Sequence, residues 1–368
     1  MSNTWRSRLK ALLDIMATME PAPLGKPARA PQGIRPLAGA GRATRDGHDV
    51  AATGPADLDA AMTLGEALVQ NLGQVLLGTN GALTAAAVAV LSGGHLLIED
   101  VPGVGKTVLA RSLAASLGAD LSRVQGHPDL LPSDVTGVSV FSPDTSSWEF
   151  RPGPVFAHLV LVDELNRTPP RTQSALLETM EEQQVSVDGE SWPLPRPHMV
   201  IATQNPLSQR GTFPLVESQL DRFAIATAIG YPDAATEAQL VLHHGGKFAL
   251  GGLRPICDPV TWLQAQRATE SVPVSPAVAD YAVNLCRATR TAPGVRLGAS
   301  PRAAIWLIRA AQAHAVISRR AFVAPVDVKA VAVGCLAHRL VIDEGEESVR
   351  QGVRIVDALL EATAAPRP

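Results

Sequence analysis

The sequence predicts a parallel, helix-covered β-sheet followed by a helical domain. Short, wholly apolar strands alternate with helices over the first two thirds of the chain. The first of them runs into a glycine-rich turn and then a helix. After Pro232 the strand signal fades and helical segments take over. Strands that are apolar throughout belong in parallel sheets, because crossover helices cover both faces.

The length of 368 residues suits two or three domains. Hydrophobic residues make up 46% of the chain and aromatics only 4%, so the cores must be built from Ala, Val and Leu. Residues 1–55 hold six prolines from Pro21 to Pro55 and no strand or helix period, which predicts a disordered tail. Ahead of the prolines, Trp5, Leu9, Leu12, Leu13 and Met16 can form one face of a short basic helix. This segment carries eight Lys/Arg and four Asp/Glu, a net of +4, leaving −7 on the rest of a chain of net charge −3. A body of that sign is a poor match to a phosphate backbone, so nucleic acid is not an expected partner.

Ordered structure is expected from residue 56. Leu64, Leu68, Leu72 and Val75 recur at helical spacing. His95–Glu99 reads as a buried strand, Lys106–Leu117 as a helix and Leu159–Val162 as a second buried strand. Thr168 and Pro169 form an N-cap and first-turn pair opening a helix to about Gln183. Met199–Thr203 and Phe223–Ile229 read as further strands. Two hairpins are legible. One joins Gly137–Phe141 to Trp148–Phe150; the other spans Val185–Trp192 around an Asp188-Gly189 turn. The sheet domain is placed at 56–232. The helical domain, 233–368, holds segments near 233–244, 259–269, 275–290, 301–318, 325–340 and 346–363.

The chemistry gathers at strand ends. Asp100, Val101, Pro102, Gly103, Val104, Gly105, Lys106 and Thr107 lie between a strand and a helix. Backbone amides from Gly103 onward can wrap a polyphosphate at the positive end of the helix. Lys106 would reach the β- and γ-phosphates of ATP, and the Thr107 hydroxyl would ligate Mg2+. The phosphate-loop pattern asks for Gly where this chain has Asp100, and Asp tolerates left-handed backbone better than most residues. Asp163 and Glu164 close an apolar strand at the edge where α/β ligands bind. Asp163 would hold the metal and Glu164 would activate water. Asn205, at the next strand's end, can orient that water. Arg222 follows Asp221 and can act as an arginine finger or as half of a surface pair. Ser300 and Pro301 start a helix whose first turn holds Arg302, where the helix dipole disfavours a cation; such a placement suggests contact with phosphate.

Together, EDVPGVGKT (Glu99–Thr107), VDELNRTPPRTQSALLETMEE (Val162–Glu182), IATQNP (Ile201–Pro206), GTFPLVESQLDRF (Gly211–Phe223) and LGASPRA (Leu297–Ala303) resemble the MoxR family, in the helix-2-insert group of AAA+ ATPases. The resemblance spans about Gly65–Leu340. It implies an AAA+ phosphate-loop core with a C-terminal all-helical lid. It makes Lys106 and Thr107 the Walker A residues, Asp163 and Glu164 the Walker B pair, Asn205 sensor 1, Arg222 the arginine finger and Arg302 sensor 2. Arg167 and Arg171 would lie near a neighbouring subunit. It further implies hexameric rings, a protein client with a von Willebrand factor A domain, and chaperone-like remodelling driven by ATP hydrolysis. A magnesium-chelatase-like motor and a nucleic-acid-associated motor are the alternatives.

Other chemistry has little support. Cys257, Cys286 and Cys335 are odd in number and lack metal or redox spacing, as expected in a reducing compartment. His243 and His244 are adjacent and point to different helix faces. No apolar run approaches the roughly 20 residues of a membrane span, and Asp14 interrupts the N-terminal apolar stretch, so a cytoplasmic protein is expected.

Overall fold

The structure is a computed structural model that describes residues 54–205, 211–242, 251–342 and 348–366. The expectations for the proline-rich tail, its short apolar helix face, Pro206 and the His243-His244 pair lie outside the described residues.

Helices α1 (Pro55–Gly73) and α2 (Asn80–Ser92) precede strand β1 (Leu96–Glu99). Ala82, Ala86, Ala87 and Ala89 are all buried in α2, together with its Leu and Val residues. A helix buried nearly all round has no amphipathic period, which is why the sequence pattern did not announce it. After the glycine turn come α3 (Lys106–Ser116), β2 (Leu121–Gln125) and the short α4 (Pro132–Thr136). The hairpin β3 (Gly137–Ser142) and β4 (Ser147–Pro152) leads to β5 (Leu159–Asp163). Helix α5 (Pro170–Glu182) and a second hairpin, β6 (Gln184–Val187) with β7 (Glu190–Pro193), lead to β8 (Met199–Gln204). The core closes with α6 (Glu217–Leu220) and β9 (Ile225–Thr227).

The five core strands lie in the order β2-β5-β8-β1-β9, all parallel. Every residue of β5 is buried, as are the first five of β8, so the sheet is covered on both faces. Strand β2 was not singled out by pattern, because only Val124 of its LSRVQ is buried. It is an edge strand.

Several expected boundaries move, among them the helix expected near 325–340, which ends at Leu336, and the strand expected from Phe223, which starts at Ile225. Helix α5 starts at Pro170, not Pro169, because Leu165–Arg167 forms a 3-10 turn first; Thr168 donates its hydroxyl to Leu165 O at 2.6 Å and caps nothing. Val75 lies just past the end of α1. The last strand stops at Thr227, because the amides of Ile229 and Gly230 turn to the Asp100 carboxylate.

The C-terminal part holds α7 (Ala234–Leu242), α8 (Pro259–Glu270), α9 (Pro276–Thr289), a short strand β10 (Val295–Leu297), α10 (Pro301–Ile317), α11 (Pro325–Leu336), β11 (Val341–Ile342) and α12 (Ser348–Ala362). A small antiparallel ribbon, β10–β11, thus supplements the helices. Trp262 of α8 is fully buried and donates Nε1 to Val90 O at 3.0 Å, fixing this part to α2. Helix α11 lies beside β9, where a Cβ on Gly334 would stand 3.2 Å from Ala226 O. Among the described residues, no helix is long and apolar enough to cross a membrane.

Candidate nucleotide site

The parallel order places the ends of β1, β5 and β8 side by side. They bound a pocket of about 410 Å³ lined by Pro102, Gly103, Gly105, Lys106, Thr107, Val108, Arg123, Gln125, Asp163, Glu164, Thr203 and Asn205. Gly103 has φ +89, and a Cβ there would meet nothing within 4 Å, so the loop is open where a ligand would lie. The value itself needs glycine. Helix α3 starts at Lys106, and its N-terminal amides face this loop.

Lys106 Nζ donates to Asp100 O and, at 3.2 Å, to Gln204 O. Burial pulls this ammonium below its ordinary value, while Asp100, Asp163 and Glu164 push it back. Val104 does not line the pocket; its side chain packs against the core.

Asp100 departs from its expected part. Its φ is not positive, and its carboxylate faces the end of the sheet. Oδ2 accepts from Ile229 N at 2.8 Å and Gly230 N at 2.7 Å, and Oδ1 from Val101 N at 2.8 Å. Three amides occupy it, so Asp100 anchors the phosphate loop to the segment after β9.

The acids of β5 are held from several sides. Arg123 donates Nε to Asp163 Oδ2 at 2.7 Å and Nη2 to Gln125 Oε1 at 3.0 Å. Thr203 Oγ1 lies 3.5 Å from Asp163 Oδ1 and accepts from Glu164 N at 2.9 Å. Glu164 adopts φ +56, a left-handed value for a residue with a side chain, and such strain gathers at functional sites. Its Oε2 accepts from Arg167 Nη1 at 2.8 Å and from Gln125 Nε2 at 3.5 Å. Gly126 explains part of this shape: a Cβ there would stand 2.2 Å from Glu164 O.

Arg222 and Arg302 do not line the pocket. They meet elsewhere, on one carboxylate. Glu181 Oε2 pairs with Arg222 Nη2 at 3.1 Å, and Oε1 with Arg302 Nη1 at 2.9 Å. Ser300 caps α10 as expected, accepting from Ala303 N at 3.1 Å, and its hydroxyl donates to Asp221 Oδ2 at 2.9 Å. Arg123, Gln125, Thr203, Glu181 and Arg339 were not candidates in the sequence. Of these, Glu181 could have been found as an acid in the last turn of a helix, where the dipole disfavours it.

The hairpins differ in what they expose. Trp192 stacks on Phe150 with centroids 4.5 Å apart, and Phe150 meets Phe156 edge-on at 5.5 Å. Trp192 therefore ties the second hairpin to the first. Trp148 is 71% exposed and touches Phe141 at the outer end of the first hairpin.

A phosphate loop between β1 and α3, paired acids ending β5, a polar end to β8 and the order β2-β5-β8-β1-β9 define a P-loop ATPase of the AAA+ class. Residues 95–225 match the ATPase family associated with various cellular activities (AAA), and residues 287–359 match the AAA lid domain. The chain is 42% identical to the uncharacterized protein YeaC of Bacillus subtilis over 82% of this chain and 95% of that one. It is 33% identical to the chaperone MoxR1 of Mycobacterium tuberculosis over 89% of each. It is 30% identical to the protein MoxR of Paracoccus denitrificans over 81% of this chain and 94% of that one. A crystal structure from Cytophaga hutchinsonii, provisionally described as an ATPase, superposes with a TM-score of 0.76 at 32% identity, covering 85% of this chain and 98% of that one. The chain belongs to the MoxR family of AAA+ ATPases.

Proposed function

We propose that the chain hydrolyses ATP with magnesium as a homo-oligomer, most simply a cytoplasmic hexameric ring, and remodels a protein partner carrying a von Willebrand factor A domain. One observation carries the reading. Lys106, Asp163, Glu164 and Asn205 surround a pocket, whereas Arg222 and Arg302 are paired on Glu181 outside it. A subunit that keeps these cations away from its own phosphate site is suited to lend them to a neighbour.

The pocket fits a magnesium nucleotide. Its loop is open at Gly103, a helix N-terminus faces it, and the oxygens of Thr107 and Asp163 suit a hard cation. Those two residues would hold magnesium, which neutralises phosphate charge when bound. Lys106 exchanges its carbonyl partners for the β- and γ-phosphates. Asn205 orients the attacking water. Glu164 accepts that water's proton, which requires its carboxylate to leave Arg167. The partner and the remodelling role rest on the family. The exposed Phe141–Trp148 tip is a surface suited to a client. A magnesium-chelatase-like motor would use the same residues on another client; a nucleic-acid motor is disfavoured by the −7 charge outside the tail.

The test is the steady-state ATPase rate per subunit against protein concentration, with Glu164→Gln alongside. The reading requires a rate that rises with concentration and a variant that binds ATP without turnover. A rate per subunit that is finite and independent of concentration, and unchanged by adding a von Willebrand factor A domain, would remove the shared site.

A further inference from the structure

Glu181 and Arg302 each occupy a position that their own helix disfavours. Glu181 lies in the last turn of α5, near the negative end of that helix, and Arg302 lies in the first turn of α10, near the positive end. Each is compensated by the other at 2.9 Å, and Arg222 completes the cluster at 3.1 Å. Two guanidiniums on one carboxylate leave an excess of one positive charge.

A second carboxylate fixes the same two arginines through the backbone. Asp221, next to Arg222, accepts at Oδ2 from the hydroxyl of Ser300, two residues before Arg302. Its Oδ1 accepts from Arg339 Nε at 2.8 Å. Arg339 is almost wholly buried and also donates to the carbonyls of Asp221, Phe223, Ala224 and Cys335. The backbone on both sides of Arg222 is thus gripped from the C-terminal helical part, and the helix bearing Arg302 is capped by a residue bonded to the same Asp221. Among the described residues, no member of this network lines the phosphate pocket of its own chain.

We infer that Glu181 and Asp221 are positioning residues that lock Arg222 and Arg302 into one two-pronged cation, offered as a unit to the γ-phosphate held by a neighbouring subunit. The inference rests on the shared-site reading above. Glu181 sets the spacing of the two guanidiniums and yields them when the phosphate arrives. Asp221 keeps the finger registered to the start of α10, so the two arginines engage or withdraw together. Misplacement by about an ångström would cost about tenfold to a hundredfold in turnover.

Subunit mixing tests this with full-length protein. Lys106→Ala supplies intact arginines and an empty phosphate loop; Arg222→Ala supplies the reverse. Glu181→Gln and Asp221→Asn should each lower kcat about tenfold or more while leaving fluorescent-ATP affinity unchanged. Each should recover turnover when mixed with Lys106→Ala and none when mixed with Arg222→Ala. Recovery only with Arg222→Ala, or wild-type turnover of both variants alone, overturns the assignment. So does ATP affinity that falls in proportion to kcat. If Asp221→Asn fails to fold, Ser300→Ala removes one of its links and must sort into the same class with a smaller loss. If Lys106→Ala and Arg222→Ala do not complement each other, the shared-site reading itself falls and takes this one with it. If they do, and only Glu181 and Asp221 sort otherwise, this inference alone is lost.

Discussion

Arg123, on the edge strand β2, holds the Asp163 carboxylate at 2.7 Å with half of its own side chain in solvent. A guanidinium here competes with any cation for the same oxygens. Replacing it with Gln should ease that competition. Half-saturating magnesium in a nucleotide-binding titration should fall about two- to fivefold, matching the modest strength of part-exposed ion pairs. An unchanged or raised magnesium requirement would mean that Arg123 does not compete.

Asp100→Gly would restore the phosphate-loop consensus, yet it should harm the protein. It strips three amide partners from the loop, two of them on Ile229 and Gly230. Stability should drop by about 1–3 kcal/mol and ATP should bind more weakly, as read from denaturant melts and equilibrium titration. A variant equal to wild type in both would show that the anchor is dispensable.

Gly126→Ala carries a sharper steric prediction. The new methyl would lie 2.2 Å from Glu164 O, a backbone atom that cannot swing aside. The end of β5 must shift, so turnover should fall steeply while the rest of the sheet persists by circular dichroism. Normal turnover would show that the two strand ends can separate freely.

Glu99 has a carboxyl pushed up to about 7 by burial. Its unfolded state gives up the proton near the ordinary value of 4.5, so the folded form binds more protons between these limits. Stability from this group is present at low pH and declines as pH rises from 4.5 toward 7. Glu99→Gln should therefore gain unfolding free energy over wild type across that window, by about 1–3 kcal/mol at the plateau, and hold the gain above it. The buried His95, brought down to about 3 by burial, has the opposite sign: its contribution is present above 6.5 and lost as pH falls. A variant whose advantage is the same at pH 4 and pH 8 would refute the Glu99 assignment.

The two hairpin tryptophans should separate cleanly. Trp192→Ala removes the stack on Phe150 and should cost about 1–3 kcal/mol. Trp148→Ala should stay within about 0.5 kcal/mol of wild type and act instead on client-stimulated turnover. Equal thermal losses in both would contradict the packing described here.

The sheet was legible because its central strands are apolar throughout, and the phosphate loop because glycine, lysine and threonine have few other reasons to stand in that spacing. Strand β2 escaped because an edge strand with one buried residue carries no period, and Arg123 was lost with it. Asp100 was read through its backbone tolerance, whereas its carboxylate is what the fold uses. The Glu181 and Arg339 contacts were out of reach for another reason. Glu181 is 121 residues from Arg302 and Arg339 is 118 from Asp221, and no local pattern reports partners at such separations.

Helix α11 meets β9, the edge strand of the sheet, at Gly334, where a Cβ would stand 3.2 Å from Ala226 O. A bulky residue at Gly334 would prise the helix from Ala226 and loosen the cover on a strand edge that can pair with other chains. The first symptom would then be sticky, self-pairing protein during expression rather than a quiet loss of catalysis, so solubility screens would discard such variants before any assay of their chemistry.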